Sequence, residues 1–195
     1  MTYTPSTEDM VAVLRTLVNI FDKSRLAYCI GGSFASSIHG EFRATNDIDI
    51  LAIFSDESFE SFILNIKKGF SFEEGTLRTA VSGKKSFSLI HLDSMVKIDF
   101  YPRGEAFEME QIKRAIAVKI PNSDLAIKVS TPEDILLAKL RWFQLGGQVS
   151  DRQWRDIEGI VRVQGSRLDQ GYLEKWSRAL GVEELLKTCQ TLRKI

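Results

Sequence analysis

The chain has 195 residues, enough for one compact core with a helical extension or for two small domains. Hydrophobic residues make up 44% of it and charged residues 27%, as in an ordinary globular protein. Lys and Arg together number 26, as do Asp and Glu, so the formal net charge is zero. This balance argues against a strongly basic surface, and a polyanionic partner would have to be bound by a local basic patch.

The cysteines and the apolar segments indicate the compartment. Cys29 and Cys189 lie far apart and form no CxxC motif, which favours a reducing environment. The opening MTYTPSTEDM lacks a basic segment followed by an apolar one, so no secretory signal is expected. No stretch reaches the about 18 apolar residues of a membrane span. We therefore expect a soluble cytoplasmic protein that does not engage a membrane.

The first 130 residues show alternating helix and strand patterns. Ser6 or Thr7 is predicted to cap a first helix, whose apolar residues recur at spacings of three and four. The segment DIDILAIF, residues 47–54, is the strongest strand signal because it is nearly continuously apolar and rich in β-branched residues. The other predicted elements are strands near 27–30, 70–72, 87–92, 96–101, 117–120 and 125–129, and helices at 33–40, 56–68 and 106–115.

The pattern changes at Thr131, which is predicted to cap a helix that has Pro132 at its first position and two acids in its first turn. From there to Ile195 the pattern is helical, with breaks only at glycines. The sequence therefore predicts an α/β core at residues 1–130, with a small mixed β-sheet flanked by helices. A helical C-terminal domain is predicted at residues 131–195.

A glycine turn follows the first predicted strand. Gly31 and Gly32 allow backbone N–H groups to approach a ligand closely. The helix predicted to start at Ser33 would direct its partly positive N-terminus to the same place, and the Ser33 hydroxyl adds a donor. These features are typical of a phosphate site. A Gly-Gly pair alone more often only forms a turn.

Two acids open the strongest strand. On a strand, Asp47 and Asp49 share one face while Ile48 and Ile50 point to the other. Two adjacent carboxylates raise each other's pKa unless a cation neutralises them. Mg²⁺ (or Mn²⁺) is the natural partner, since it prefers oxygen ligands and keeps positions for substrate phosphates. The alternative is a solvated strand end that carries two acids.

Asp99 is the third candidate acid, on the polar face of the alternating strand at 96–101. If that strand lies beside residues 47–54, three carboxylates meet at one sheet edge. Two cations on them would clamp the attacking and leaving oxygens of a displacement at phosphorus, and Asp99 could also serve as the base. The alternatives are an ordinary exposed strand residue at Asp99, or Asp93 in a predicted turn as the third acid.

The segment GGSFASSIHGEFRATNDIDIL resembles the signature of the polymerase-beta-type nucleotidyltransferase superfamily. The resemblance is closer to the small bacterial AbiE-toxin and minimal nucleotidyltransferase group, and it covers most of residues 27–160. The matching positions are Gly32, Ser33, Asp47, Asp49 and, in VKIDFY, Asp99. The segments TPEDILLAKLRW and DRQWRDIEGI resemble helices of that group, in which a lysine and a later aspartate complete the site. The resemblance thus implies site roles for Lys139 and Asp156.

Each of the remaining candidate residues has an alternative interpretation. Arg43 has the strand parity of the two aspartates, so it either donates to a triphosphate oxygen or neutralises the aspartates. Lys139 is either a site residue or an ordinary lysine on the wet face of an amphipathic helix. Asp156 is either a site residue or a partner of the nearby Arg152 or Arg155.

The resemblance implies an Mg²⁺-dependent enzyme that transfers a nucleoside monophosphate from a nucleoside triphosphate to an acceptor. RNA, protein and small molecules stay open as acceptors, because nothing in the motif selects one. The subgroup also implies a toxin component with an antitoxin partner. The competing interpretation is a non-catalytic protein of this fold that binds a nucleotide or a partner, since fold alone does not fix function.

Overall fold

The computed structural model describes residues 5–191, which divide into two compact units. One consists of the chain up to Ile30 together with Thr45–Val129, and the other of Gly31–Ala44 together with the chain from Ser130 onward. Two expectations, the lack of a secretory signal and a helix reaching Ile195, fall partly on residues outside the described range. The division into domains at residue 130 stays a prediction.

Helices and strands alternate through the first unit. The second unit is helical, and we call it the helical unit. The strands are β1 (Ala27–Ile30), β2 (Asp47–Ile53), β3 (Phe70–Ser71), β4 (Phe87–His91), β5 (Lys97–Pro102), β6 (Ile116–Lys119) and β7 (Ala126–Val129). The helices are α1 (Thr7–Lys23), α2 (Gly32–His39), α3 (Asp56–Ile66), α4 (Glu74–Ser82), α5 (Ala106–Arg114), α6 (Pro132–Leu145), α7 (Asp151–Gln164), α8 (Gln170–Leu180) and α9 (Glu183–Thr191). Across residues 5–191 this is an α/β fold with helices in the C-terminal part, and the predicted fold class is confirmed.

In the first unit the strands form one mixed sheet, in the order β3-β4-β5-β2-β1-β7-β6. The pairs β2–β5 and β1–β7 are parallel, and the other neighbours are antiparallel. Ile48 and Ile50 of β2 are fully buried, as are Ile98 and Phe100 of β5. The rings of Phe100 and Phe62 lie 5.3 Å apart, so helix α3 packs on this apolar face. The opposite face carries the polar residues of both strands, with Leu51 and Ile53 at the end of β2.

The sequence pattern predicts no helix at 74–82, where the structure has α4, and this part of the prediction is wrong. The helix buries only Leu77 and Ala80, so its apolar periodicity is weak. Its N-cap is Glu73, whose carboxylate accepts hydrogen bonds from the backbone N–H groups of Gly75 and Thr76. Glutamate is an uncommon cap, which explains why the start signal was missed.

In the second unit α2 packs closely against α7. A Cβ atom on Gly40 would lie 2.8 Å from the backbone nitrogen of Ile160, and one on Gly159 would lie 3.1 Å from that of Glu41. These glycines therefore allow the two backbones to approach. Nearby, Nε2 of the buried His39 lies 2.7 Å from the Ser130 carbonyl oxygen and must donate to it, since a carbonyl only accepts. His39 is thus a packing residue.

Helix α6 begins at the predicted cap, and a buried acid ties this end to α8. The Thr131 hydroxyl accepts from the backbone N–H of Asp134 and donates to its carboxylate at 2.8 Å. Asp134 is fully buried, and its other carboxylate oxygen accepts from the Tyr172 hydroxyl on α8. A buried carboxyl group is tolerated when its oxygens are hydrogen-bonded in this way.

Two further observations concern the cysteines and the apolar character of the helices. Cys29 and Cys189 are both buried free thiols. Within residues 5–191 no helix has the length and apolar character needed to cross a lipid bilayer.

Replacing Tyr172 with Phe should lower the free energy of unfolding of the helical unit by about 2 kcal/mol, because a hydrogen bond to a buried carboxylate is lost. Urea unfolding followed by tryptophan fluorescence measures this directly, since Trp142, Trp154 and Trp176 all lie in that unit. An unchanged urea midpoint would show that the bond to Asp134 contributes no net stability.

Candidate functional site

The three predicted acids lie side by side in the first unit. Strands β2 and β5 are parallel neighbours, and Asp49 pairs with Asp99 in their register. Asp47 pairs with Lys97, two residues before that pair on both strands. Because the intervening isoleucines are buried, the acids share the opposite face. The prediction that Asp99 lies on a strand beside that of Asp47 and Asp49 is confirmed.

Hydroxyl groups from outside β2 hold its two carboxylates. The Thr45 hydroxyl donates to Oδ1 of Asp47 at 2.5 Å, and the Tyr101 hydroxyl donates to Oδ1 of Asp49 at 3.2 Å. Burial, reinforced by the charges of Asp49 and Asp99, raises the pKa of Tyr101 well above its ordinary value. The phenol therefore stays protonated at neutral pH and remains a donor to Asp49.

Asp99 is held by a hydroxyl and a cation. The Ser88 hydroxyl on β4 donates to its Oδ1 at 2.5 Å, and Nζ of Lys97 lies 2.7 Å from the carboxylate. The Asp99 side chain is 16% exposed, whereas that of Lys97 is 53% exposed. The carboxylate is therefore mostly enclosed, with the ammonium group reaching it from the solvent side.

We call the surface formed by Asp47, Asp49 and Asp99 the acidic face. Its carboxylate ligands suit Mg²⁺ or Mn²⁺, since the register brings all three to adjoining strand positions. No group of three or more His, Cys, Asp and Glu side chains in residues 5–191 is arranged so that it could hold a metal ion. Each of the three carboxylates is hydrogen-bonded to a neighbour instead. The residues fit a metal site by type and by strand position, and their side chains would have to rearrange to bind a cation together.

The second group of predicted residues lies in the helical unit and begins at the N-terminus of α2. Gly31 is the N-cap residue and supplies no side-chain hydrogen bond. Gly32 has a φ of 56°, a left-handed conformation that favours glycine. Ser33 follows within the first turn. First-turn N–H groups without a side-chain cap, at the positive end of a helix dipole, suit an anionic ligand.

Arg43 connects this helix start to α7. Its Nη2 donates to the Ser33 hydroxyl at 2.6 Å, and its Nε and Nη2 donate to the two carboxylate oxygens of Asp156, each at 3.1 Å. Nζ of Lys139 donates to the same aspartate at 2.8 Å. We call Ser33, Arg43, Lys139 and Asp156 the Asp156 network. The two-pronged contact between Arg43 and Asp156 is the stronger kind of charge-assisted pair.

The backbone of Arg43 is fixed as well. The Ser37 hydroxyl donates to the Arg43 carbonyl oxygen at 2.8 Å and accepts from its N–H at 3.3 Å. This segment, residues 41–46, precedes β2 and is not a strand, so the predicted strand parity of Arg43 with the two aspartates is wrong. A loop allows the guanidinium to turn towards Asp156.

The alternative interpretations of Lys139 and Asp156 are also wrong. Lys139 is 8% exposed and ion-paired, so it is not a wet-face lysine of α6. Asp156 takes its partners from α6 and from the loop after α2, and not from Arg152 or Arg155 on its own helix. Sequence spacing shows only neighbours along one helix, whereas these partners depend on how the helices pack.

The Asp156 network has more positive than negative charge. Two cations surround one carboxylate, and their side chains differ in exposure, 29% for Arg43 against 10% for Lys139. Burial alone would raise the pKa of Asp156, but hydrogen bonds from Arg43 and Lys139 outweigh it and hold the pKa below its ordinary value. The carboxylate is therefore ionised at neutral pH, and the network keeps one net positive charge available to an anion.

The structure thus gathers the predicted residues into two groups, one within each unit. Sequence reasoning did not single out Tyr101, Lys97, Thr45 and Ser88 as neighbours of the acids. The first two could have been found, because they alternate with Ile98 and Phe100 and so share the face of Asp99. Ser88 depends on the pairing of β4 with β5, which no local pattern reveals.

Solved structures of nucleotidyltransferase-like proteins share this fold. A nucleotidyltransferase-like antigen of Paracoccidioides brasiliensis aligns with a TM-score of 0.57 and 15% identity, covering 97% of this chain and 95% of that one. The antibiotic-resistance factor ANT(2'')-Ia aligns with a TM-score of 0.51 and 16% identity over 94% of this chain and 97% of its own. The lincosamide antibiotic adenylyltransferase LnuA, bound to lincomycin, aligns with a TM-score of 0.50 and 14% identity over 82% and 99%.

No protein-family model and no curated protein matches the sequence. At the identities of the three solved structures, the likeness is one of fold. The roles of individual residues therefore rest on the geometry of this chain.

Replacing Asp156 with Asn should lower the free energy of unfolding of the helical unit at pH 7 by about 2 kcal/mol, because two cations lose a mostly buried charge partner. Since the folded-state pKa of Asp156 lies below its unfolded value, this contribution is present above about pH 4. It should disappear as the pH falls through the lower, folded-state pKa.

Urea unfolding at pH 7 and at a series of lower pH values, followed by tryptophan fluorescence, tests this. The control is Glu158→Gln, the same acid-to-amide change two residues later on α7. A difference between wild type and Asp156→Asn that stays constant with pH would contradict the role of the charge.

Proposed function

We propose that this chain is a metal-dependent nucleotidyltransferase, which transfers a nucleoside monophosphate from a nucleoside triphosphate to an acceptor hydroxyl. The observation that carries the proposal is the pairing of Asp49 with Asp99 on parallel strands, with Asp47 on the same face. Such a concentration of carboxylates is costly unless cations are bound there. The shared fold with nucleotidyltransferase-like proteins supports membership of that superfamily.

In this proposal, Asp47, Asp49 and Asp99 hold Mg²⁺ or Mn²⁺. When bound, the ions neutralise phosphate oxygens and help to orient the triphosphate. Tyr101 keeps the Asp49 carboxylate oriented through its hydrogen bond. Asp99, which contacts Ser88 and Lys97, accepts the proton of the acceptor hydroxyl in this proposal.

A separate part of the proposal concerns an anion-binding site within the helical unit alone. The first-turn N–H groups of α2 and the Ser33 hydroxyl bind phosphate oxygens, as anions bind at other helix N-termini. Arg43 adds a guanidinium that already contacts Ser33. Asp156 orients Arg43 and Lys139 through its two charge-assisted contacts and does not itself touch the nucleotide.

The reaction is a displacement at the α-phosphorus. A bond forms between the acceptor oxygen and that phosphorus, the bond to the bridging oxygen of the β-phosphate breaks, and pyrophosphate leaves. The proton of the acceptor hydroxyl passes to Asp99. Most of the acceleration in such a reaction comes from positioning and from neutralisation of charge.

RNA, protein and a small molecule are the acceptor classes to be tested. Lincomycin belongs among the small molecules, because LnuA is a lincosamide antibiotic adenylyltransferase of the same fold. For a protein or RNA acceptor, the proposal is that this chain is a toxin component of the AbiE-like subgroup, with a neighbouring antitoxin as its partner. A cytoplasmic location belongs to the same proposal.

Wild-type protein should transfer label from α-³²P-labelled triphosphates, but not from γ-labelled ones, in a reaction that requires Mg²⁺. Asp49→Asn should reduce this transfer by about a hundredfold or more, because a ligand that acts in the transition state is lost. In the transfer assay, total RNA, cell proteins and lincomycin are offered separately as acceptors. A separate calorimetric titration measures the Mg²⁺-dependent binding of a non-hydrolysable triphosphate.

Asp93→Asn is the matched control, since Asp93 is an exposed acid in the turn between β4 and β5. Binding of the triphosphate without transfer to any acceptor would favour the non-catalytic alternative. Equal Mg²⁺-dependent binding by wild type and Asp49→Asn would remove the acidic face from the proposal.

Ser33→Ala should weaken binding of a nucleoside triphosphate by about three- to tenfold and that of the monophosphate much less, because one hydrogen bond to an outer phosphate is lost. Ser37→Ala is the matched control, since Ser37 lies one turn later on α2 and contacts the Arg43 backbone instead. Calorimetry with both nucleotides gives the ratio. Equal losses for the two ligands would show that Ser33 does not touch the outer phosphates.

A further inference from the structure

The carboxylate of Asp99, one of the three proposed to bind metal, is paired with the ammonium group of Lys97. Nζ of Lys97 lies 2.7 Å from the carboxylate, two residues away on the same strand and the same face. In the register Lys97 also stands opposite Asp47. The ammonium group is therefore directed to the position where a divalent cation would share its oxygen ligands.

We propose that Lys97 is an internal counter-ion of the acidic face, which competes with a divalent cation for Asp99 and so sets the cation concentration at which the site fills. The inference rests on the proposed metal-dependent function and deepens it. It concerns the affinity for the cation and not the chemistry of transfer.

The geometry makes the exchange physically reasonable. Lys97 is 53% exposed, so its ammonium group can return to water when a divalent ion takes its place. A lysine suits this role because it is a strongly hydrated point charge on a flexible stem. The Asp99 carboxylate keeps its hydrogen bond with Ser88 from a neighbouring strand, and its backbone position is fixed by the β2–β5 pairing. Only side chains need to move.

The exposure of the Lys97–Asp99 ion pair determines how strongly Lys97 competes with a divalent cation. Exposed ion pairs contribute about 1 kcal/mol or less, because water and salt screen them. Displacing Lys97 is therefore a modest obstacle for a divalent cation. Without Lys97 the three carboxylates would repel each other more strongly when no metal is bound, which adds to the gain in cation affinity.

Calorimetric titration of the full chain with Mn²⁺ alone, without nucleotide, tests the proposal. Lys97→Met keeps the length of the side chain and removes the charge, and it should tighten Mn²⁺ binding by about two- to tenfold. Lys97→Arg keeps the charge and should bind Mn²⁺ about as the wild type does. In an Asp99→Asn background, Lys97→Met should no longer change the affinity by the same factor.

Lys119→Met is the matched control, an exposed lysine on β6 at the far side of the sheet order. Unchanged or weaker Mn²⁺ binding by Lys97→Met, with measurable binding by the wild type, would overturn the role of Lys97 and leave the proposed function standing. An equal gain in Mn²⁺ affinity in Lys119→Met would show that any lost positive charge has this effect, and it would also overturn the role of Lys97. Absence of Mn²⁺ binding in the wild type and in Lys97→Met would overturn both.

Discussion

The parallel pairing of β2 with β5 is the constraint on which the candidate chemistry depends. Ile48 pairs with Ile98 and Ile50 with Phe100, and all four side chains are fully buried. A slip of one residue would turn this apolar set towards water, so the core fixes the register. The acids lie between these positions and are brought together by the burial of their neighbours. Hydrophobic burial thus enforces a concentration of like charge that electrostatics alone would oppose.

In the helical unit, by contrast, two positively charged side chains are brought together. The glycine contacts between α2 and α7 bring the Arg43 loop to Asp156, and α6 presents Lys139 to the same carboxylate. One buried aspartate thus orients two cations, of which Arg43 also reaches the start of α2. Removing a partner from such a group leaves charge without compensation, which is why these positions should be sensitive.

The sequence was informative wherever function followed a local period. Alternation along β2 and β5 predicted the face of Asp49 and Asp99, and the capping signal at Thr131 predicted the start of α6. It was uninformative where partners come from distant parts of the chain. The contacts of Asp156 span 17 and 113 residues, and neither could be read from spacing. Helix α4 was missed for a different reason, since it buries too few residues to show a period.

The segment Gly31–Ala44 has a consequence for how the chain is made. It leaves the sheet after β1 and returns at β2, although these strands are antiparallel neighbours. Its partners appear much later: Ser130 follows His39 by 91 residues, and Asp156 follows Arg43 by 113. Because synthesis proceeds from the N-terminus, α2 emerges from the ribosome long before the helices that cover it. This segment is therefore made well before its partners, and Arg43 gains the carboxylate that orients it only after Asp156 of α7 has been translated.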